Sequence, residues 1–168
     1  MRLFLCLSFL LLPHLVYPQS TKSQSQYPDH VGDISFDPKL DDPAFRICAN
    51  RSNYQYYNFG KGVQYKGEKP AIEDHFKELR SNKLAGETGY VTIRFIVNCE
   101  GKTGRFRVQE MDANYQARTF DKTLVTRLLN LTKQLNGWIP AVDTGYKVDY
   151  YQYLSFKIEN GKLMEILP

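Results

Sequence analysis

Val91, Ile93, Phe95, Val97 and Cys99 place an apolar residue at every second position, with Tyr90, Thr92, Arg94, Ile96 and Asn98 between them. A period of two predicts a strand with one buried face and one wet face. The polar link Glu100-Gly101-Lys102-Thr103-Gly104 follows, and its glycines suit a turn. Phe106 and Val108 then alternate with Arg105, Arg107 and Gln109, so 89–111 reads as a β-hairpin.

A longer period flanks the hairpin. Pro70 suits the first position of a helix, where its missing N–H costs nothing. Ile72, Phe76 and Leu79 then form one apolar stripe, with Glu73, Asp74, Lys77, Glu78 and Arg80 on the wet side. Downstream, Thr119 is a candidate cap for a second helix carrying Phe120, Leu124, Leu128, Leu131 and Leu135. Asn136-Gly137 is its stop signal, and Pro140 in Trp138-Ile139-Pro140-Ala141 forbids continuation. Trp138 reads as a core plug between helix and sheet.

Period two returns over 146–158. Val148, Tyr150, Leu154, Phe156 and Ile158 share one parity with Gln152 as the exception, and Asp149, Tyr151, Tyr153, Ser155 and Lys157 share the other. Asn160-Gly161 is a strong two-residue hairpin signal, and Leu163, Met164, Ile166 and Leu167 supply a closing strand. The order predicts an α+β domain, a small antiparallel sheet of three to four strands with two helices on one face.

The N-terminus changes the setting. Arg2 precedes an apolar run of roughly ten residues and a polar exit, which describes a secretory signal peptide over 1–19. The run is short of the roughly 20 residues that span a bilayer, and an uncleaved anchor is the alternative. Residues 20–47 are rich first in Ser, Gln and Lys and then in Pro and Asp, an extended arm ordered only where something holds it. Residues 48–168 form the domain. Export leaves Cys48 and Cys99 as an even pair in an oxidising compartment, where a disulfide is expected and two free buried thiols are the alternative.

Candidate chemistry is sparse. The mature chain has only His30 and His75, neither in a metal-ligand spacing, and no GxSxG, Walker or dinucleotide motif appears. A non-catalytic protein without cofactor or metal is expected, with His75 solvated or packed. The net charge of +4 comes without a lysine or arginine run, which leaves a nucleic-acid partner unsupported. Sequons at Asn50 and Asn130 are uninformative. The aromatic stretch 54–59 reads either as a stacking platform for a sugar or peptide or as padding for the sheet.

The pattern from about residue 70 to 158 resembles the C-terminal domain of TonB-type proteins. The residues that carry the likeness are Gly89-Tyr90-Val91-Thr92-Ile93-Arg94-Phe95-Ile96-Val97, the Gly101-Lys102 turn, Phe106-Arg107-Val108, the Trp138-Ile139-Pro140-Ala141 junction and the strand from Val148 to Phe156. The resemblance implies a periplasmic module of a Gram-negative envelope that binds a protein or peptide, in the family a segment of an outer-membrane receptor added to a sheet edge. It implies that the last long strand is that edge, with Tyr151, Tyr153 and Ser155 or their opposite-parity neighbours facing the partner. The chain lacks the family's long proline-rich spacer. An exported protein binding peptidoglycan or sugar through its aromatic segment is the alternative.

Overall fold

The computed structural model describes residues 33–48, 54–81 and 86–168. The elements are β1 (Tyr54–Gln55), a 3-10 turn (Tyr56–Phe59), α1 (Glu68–His75), α2 (Lys77–Ser81), β2 (Gly89–Val97), β3 (Thr103–Met111), α3 (Lys122–Gln134), β4 (Ala141–Asp143), β5 (Tyr146–Val148), β6 (Tyr150–Glu159) and β7 (Lys162–Leu167). All belong to one unit, Gly32–Pro168. The expected signal segment, His30, Asn50 and the first part of the arm lie outside the described residues.

The class is α+β, and the sheet is larger than expected. Five strands run β1-β6-β2-β3, with β7 also hydrogen-bonded to β6. One pairing is parallel, Tyr54 and Gln55 against Tyr150 and Tyr151. A strand is a plausible reading of the aromatic stretch, but two residues carry no readable period and the parallel pairing is hidden in the sequence.

The alternation of β2 and β6 becomes the core. Ile93 pairs with Val108 on one side and Leu154 on the other, and Val91 with Phe156. Val91, Ile93, Phe95, Val97, Leu154, Phe156 and Ile158 are all buried on this face. The helices cover it. Ile72, Phe76 and Leu79 seal one part, and Leu124, Leu128 and Trp138 another. Full burial of each such side chain stabilises the fold by roughly 1.5–3 kcal/mol.

Local starts and stops differ from the sequence reading in small ways. The first helix begins at Glu68, so Pro70 falls within the first turn, where the N–H has no helical partner to lose. It breaks at Phe76 and resumes as α2. Asp121, not Thr119, caps α3, its carboxylate accepting from the N–H groups of Thr123 at 2.9 Å and Leu124 at 3.1 Å. An ionised acceptor at this position also complements the helix dipole.

Asn160 and Gly161 adopt φ of 50° and 75°, the type I′ geometry, and β7 folds back on β6. A second I′ turn stands at Thr144 and Gly145, with φ of 46° and 86°, and joins β4 to β5. The expected single strand over 146–158 is therefore two. β5 turns back on β4, Asp149 breaks the run, and β6 enters the main sheet.

Candidate functional site

Parity sends the other side chains of the sheet away from the helices. The register aligns three rows across β3, β2 and β6: Arg107, Arg94 and Tyr153; Gln109, Thr92 and Ser155; Met111, Tyr90 and Lys157. Thr92 and Ser155 join their hydroxyls at 2.8 Å in the middle row. Tyr90, Arg94, Tyr153, Ser155 and Lys157 are half-buried: Tyr56 of the 3-10 turn packs on Tyr153 and Tyr115 stacks on Tyr90 at 5.3 Å, while the α-helices pack on the opposite face.

Residues 33–47 close the lower end of this face. Ile34 packs with Ile96 and Tyr151 in a small second core, joined by Phe45. A Cβ on Gly104 would collide with the Phe45 ring, so glycine there lets the arm lie close. Arg107 grips the Asp41 carboxylate with two guanidinium nitrogens, at 2.7 Å and 2.8 Å. The Asp41 side chain is only 1% exposed against 27% for Arg107. The Arg107 hydrogen bond holds the Asp41 carboxyl below its ordinary value, and Asp41 in turn raises Arg107. Asp41 also accepts the Asp37 N–H at 2.7 Å, which fixes the turn between them.

The disulfide anchors the end of the arm. Cys48 and Cys99 are bonded, with Cα atoms 5.9 Å apart. Asp149, the residue that breaks the last strand run, accepts the Cys48 N–H on one oxygen at 2.6 Å and the Cys99 N–H on the other at 2.8 Å. Both sulfurs and a carboxylate oxygen lie within 4.8 Å of one another. The sulfurs are bonded to each other, and Asp149 acts here as a clamp on both cysteine amides.

The three residues singled out by sequence share the open face and divide there. Tyr151 is 5% exposed beneath the arm, where its oxygen accepts the Ile34 N–H at 3.3 Å and burial raises its hydroxyl pKa. Tyr153 and Ser155 stay partly exposed. The Tyr153 ring meets Tyr56 edge-on at 5.0 Å, and burial pushes the hydroxyls of both upward.

The backbone of β6 is not a free edge. β1 pairs with it at Tyr150 and Tyr151, and β7 from Ser155 to Glu159. Between them the Gln152 amide donates to the Tyr153 carbonyl at 3.0 Å. The outer side of β3 is bridged at its end, Met111 with Ala117 and the Glu110 carbonyl with the Arg118 N–H at 3.2 Å, and no further strand among the described residues pairs with it. That edge is protected by a bulge at Arg105, which takes φ of 55°, and by the charges of Arg105 and Arg107.

The aromatic stretch is mostly packing. Tyr54 stacks on Phe59 at 5.7 Å, Phe59 meets Tyr150, and Tyr56 donates to the Pro168 carbonyl at 2.9 Å. Tyr57 alone of the four rings is exposed, at 56%. His75 is packed as well, its ring Nε2 3.0 Å from the Leu131 carbonyl in the last turns of α3. The Arg107–Asp41 pair and the Asp149 clamp were missed by sequence reasoning. The available signals were arginines on the wet parity of β3, an aspartate-rich arm, and an aspartate inside a strand run.

No protein-family model, curated protein or solved structure matches the chain. Among the described residues, no helix is long and apolar enough to cross a membrane.

Proposed function

We propose that this chain is an exported, non-catalytic binding module of the TonB C-terminal-domain type, which takes a protein or peptide partner on its open sheet face at Tyr153 and Ser155. The observation that carries the reading is a sheet face on which no α-helix packs among the described residues. One side of the sheet is sealed by three helices, whereas the other presents tyrosine rings, hydroxyls and a guanidinium across three strands. Amphipathic aromatics beside adaptable hydrogen-bonding groups suit a protein partner.

The order of helix, hairpin, helix, Trp138-Ile139-Pro140-Ala141 junction and long strand supports the family likeness. The mode of binding differs from edge addition at the last long strand, because β1 and β7 already use that edge. A disulfide supports export to an oxidising compartment, and a periplasmic setting linked to outer-membrane transport follows from the resemblance.

Photo-crosslinking from position 153 in intact cells tests the reading, with position 122 on the outer side of α3 as control. A discrete adduct from 153 and none from 122 is expected. Equal labelling from both positions, or none from 153, overturns it. Where the partner is a receptor peptide, Tyr153→Ala weakens binding at least fivefold. The cell-wall alternative now rests on Tyr57, and Tyr57→Ala should leave co-sedimentation with peptidoglycan unchanged.

A further inference from the structure

The arm over the lower sheet face is laid on the domain rather than built into it. Residues 33–47 add no strand or helix, and they leave Phe36, Leu40 and Ile47 at 47%, 64% and 41% exposure. What holds them is recognition of main chain and of one carboxylate. Arg105 donates to the Ile34 carbonyl at 3.1 Å, and Arg107 to the Ser35 carbonyl at 2.7 Å. Arg107 also clasps Asp41 with both terminal nitrogens. Two apolar side chains add to this: Ile34, seated against Ile96 and Tyr151 at 4% exposure, and Phe45, packed beside them over Gly104. An aliphatic anchor, exposed carbonyls and a carboxylate in a guanidinium fork are what a peptide ligand offers to a receptor surface.

This seat adjoins the open rows. Arg107 stands directly opposite Arg94, which in turn pairs with Tyr153, and Ile96 pairs with Tyr151. Ile96 and Tyr151 under the arm thus continue the register of the Arg94, Thr92 and Tyr90 rows on the same face of the sheet. We infer that residues 33–47 are a tethered internal occupant of the sheet face, displaced by an acidic peptide segment of the partner that places an aliphatic residue where Ile34 sits and a carboxylate where Asp41 sits. The inference rests on the reading of the sheet face as the binding surface. Cys48, bonded to Cys99 and held by Asp149, keeps the arm at high local concentration, so the full chain binds weakly until the latch is broken.

The probe is a fluorescent synthetic peptide of residues 33–47, titrated against the full chain by anisotropy. Wild type is compared with Asp41→Asn, which breaks the latch from the arm side and leaves the sheet intact. The expected result is binding at least tenfold tighter to Asp41→Asn than to wild type. That gain disappears when Arg107→Ala is added to the chain, or when the peptide carries Asp41→Ala. Arg107→Lys, which keeps the charge but not the fork, gives an intermediate affinity and serves if the alanine variant does not fold.

Equal affinity for wild type and Asp41→Asn overturns the gating. Affinity indifferent to both Arg107 substitutions, or retained by the Asp41→Ala peptide, overturns the proposed ligand chemistry. The outcome is separable from the crosslinking test. A latch-dependent peptide response with no adduct from position 153 leaves the strap standing and removes the partner reading, and the reverse pair of results does the opposite.

Discussion

Replacing both Cys48 and Cys99 by serine measures how much the covalent tether contributes, and the structure sets the size of the effect. The bridge joins residues 51 apart in sequence, enclosing β1, α1, α2 and β2. Loop closure of that length restricts the unfolded chain by about 4 kcal/mol in the chain-entropy model. A domain of this size is stable by roughly 5–15 kcal/mol, so a large share is at stake. Asp149→Ala adds a second arm to the experiment. It strips the acceptor from two amides, of which Cys48 is exposed and recovers water while Cys99 is half-buried. The expected cost is about 2 kcal/mol, since hydrogen bonds to charged groups are worth roughly 1.5–3 kcal/mol each before this re-solvation. Without the disulfide, the Cys48 amide is no longer presented to Asp149, so the two losses are less than additive by about 1 kcal/mol. Urea denaturation of the four chains at one temperature reads all of this, with the slope followed as well as the midpoint. A loss below about 1 kcal/mol for the serine pair would falsify the loop argument. Strict additivity would show that the clamp and the bridge act independently.

Three further outcomes are expected. Asp41 has a depressed folded pKa, so its stabilising effect is complete above the ordinary carboxylate value of 3.8 and fades as pH falls through the lower folded value. Hydrogen-exchange protection of residues 33–41, taken against the intrinsic amide rate at each pH, therefore holds from neutral pH to about 4 and falls below it, and a loss of protection between pH 5 and 7 would contradict the latch. Gly137→Ala pushes a Cβ to within 2.7 Å of the Tyr65 ring, which meets the single tryptophan, Trp138, at 4.9 Å. Overpacking of this kind costs roughly 1–3 kcal/mol, with a red shift of tryptophan emission, and unchanged emission and midpoint would count against the packing described. Gln152 is fully buried, and its side-chain oxygen has no hydrogen-bond partner among the described residues. Gln152→Met relieves that oxygen at the loss of one amide bond and should raise stability by about 1 kcal/mol. A fall of similar size would mean that the bond to the Tyr153 carbonyl matters more than the orphan acceptor.

The legible parts of this fold were those whose signals are local and periodic. The hairpin of β2 and β3, the stripe of Ile72, Phe76 and Leu79, the Asn160-Gly161 turn and the cysteine pair all stood in the sequence, because each is decided by neighbours or by simple pairing. The break at Asp149 did not. Its period matches the strand on either side, and only the approach of two distant amides explains why an aspartate stands there. β1 is two residues long and pairs with a strand near the other end of the chain. The turn at Thr144 was hidden for another reason, since threonine is an unusual residue at φ of 46°. At the candidate site, parity put Tyr151, Tyr153 and Ser155 on one face. It did not separate the tyrosine under the arm from the two residues beside it, because the clasp of Arg107 on Asp41 spans 66 positions.

The central place of β6 also fixes when the molecule is able to fold. Synthesis delivers the arm, both helical segments and the hairpin of β2 and β3 first, yet β2 has only one of its two neighbours until residues 150–159 arrive. β1 and β7 have none at all before then. A nascent chain elongates at roughly 5–20 residues per second, and between the completion of β3 and the arrival of β6 it holds a half-sheet without its central partner strand. The main sheet is completed only when β6 joins β2 to β1 and β7, so its commitment to structure waits on residues 150–159.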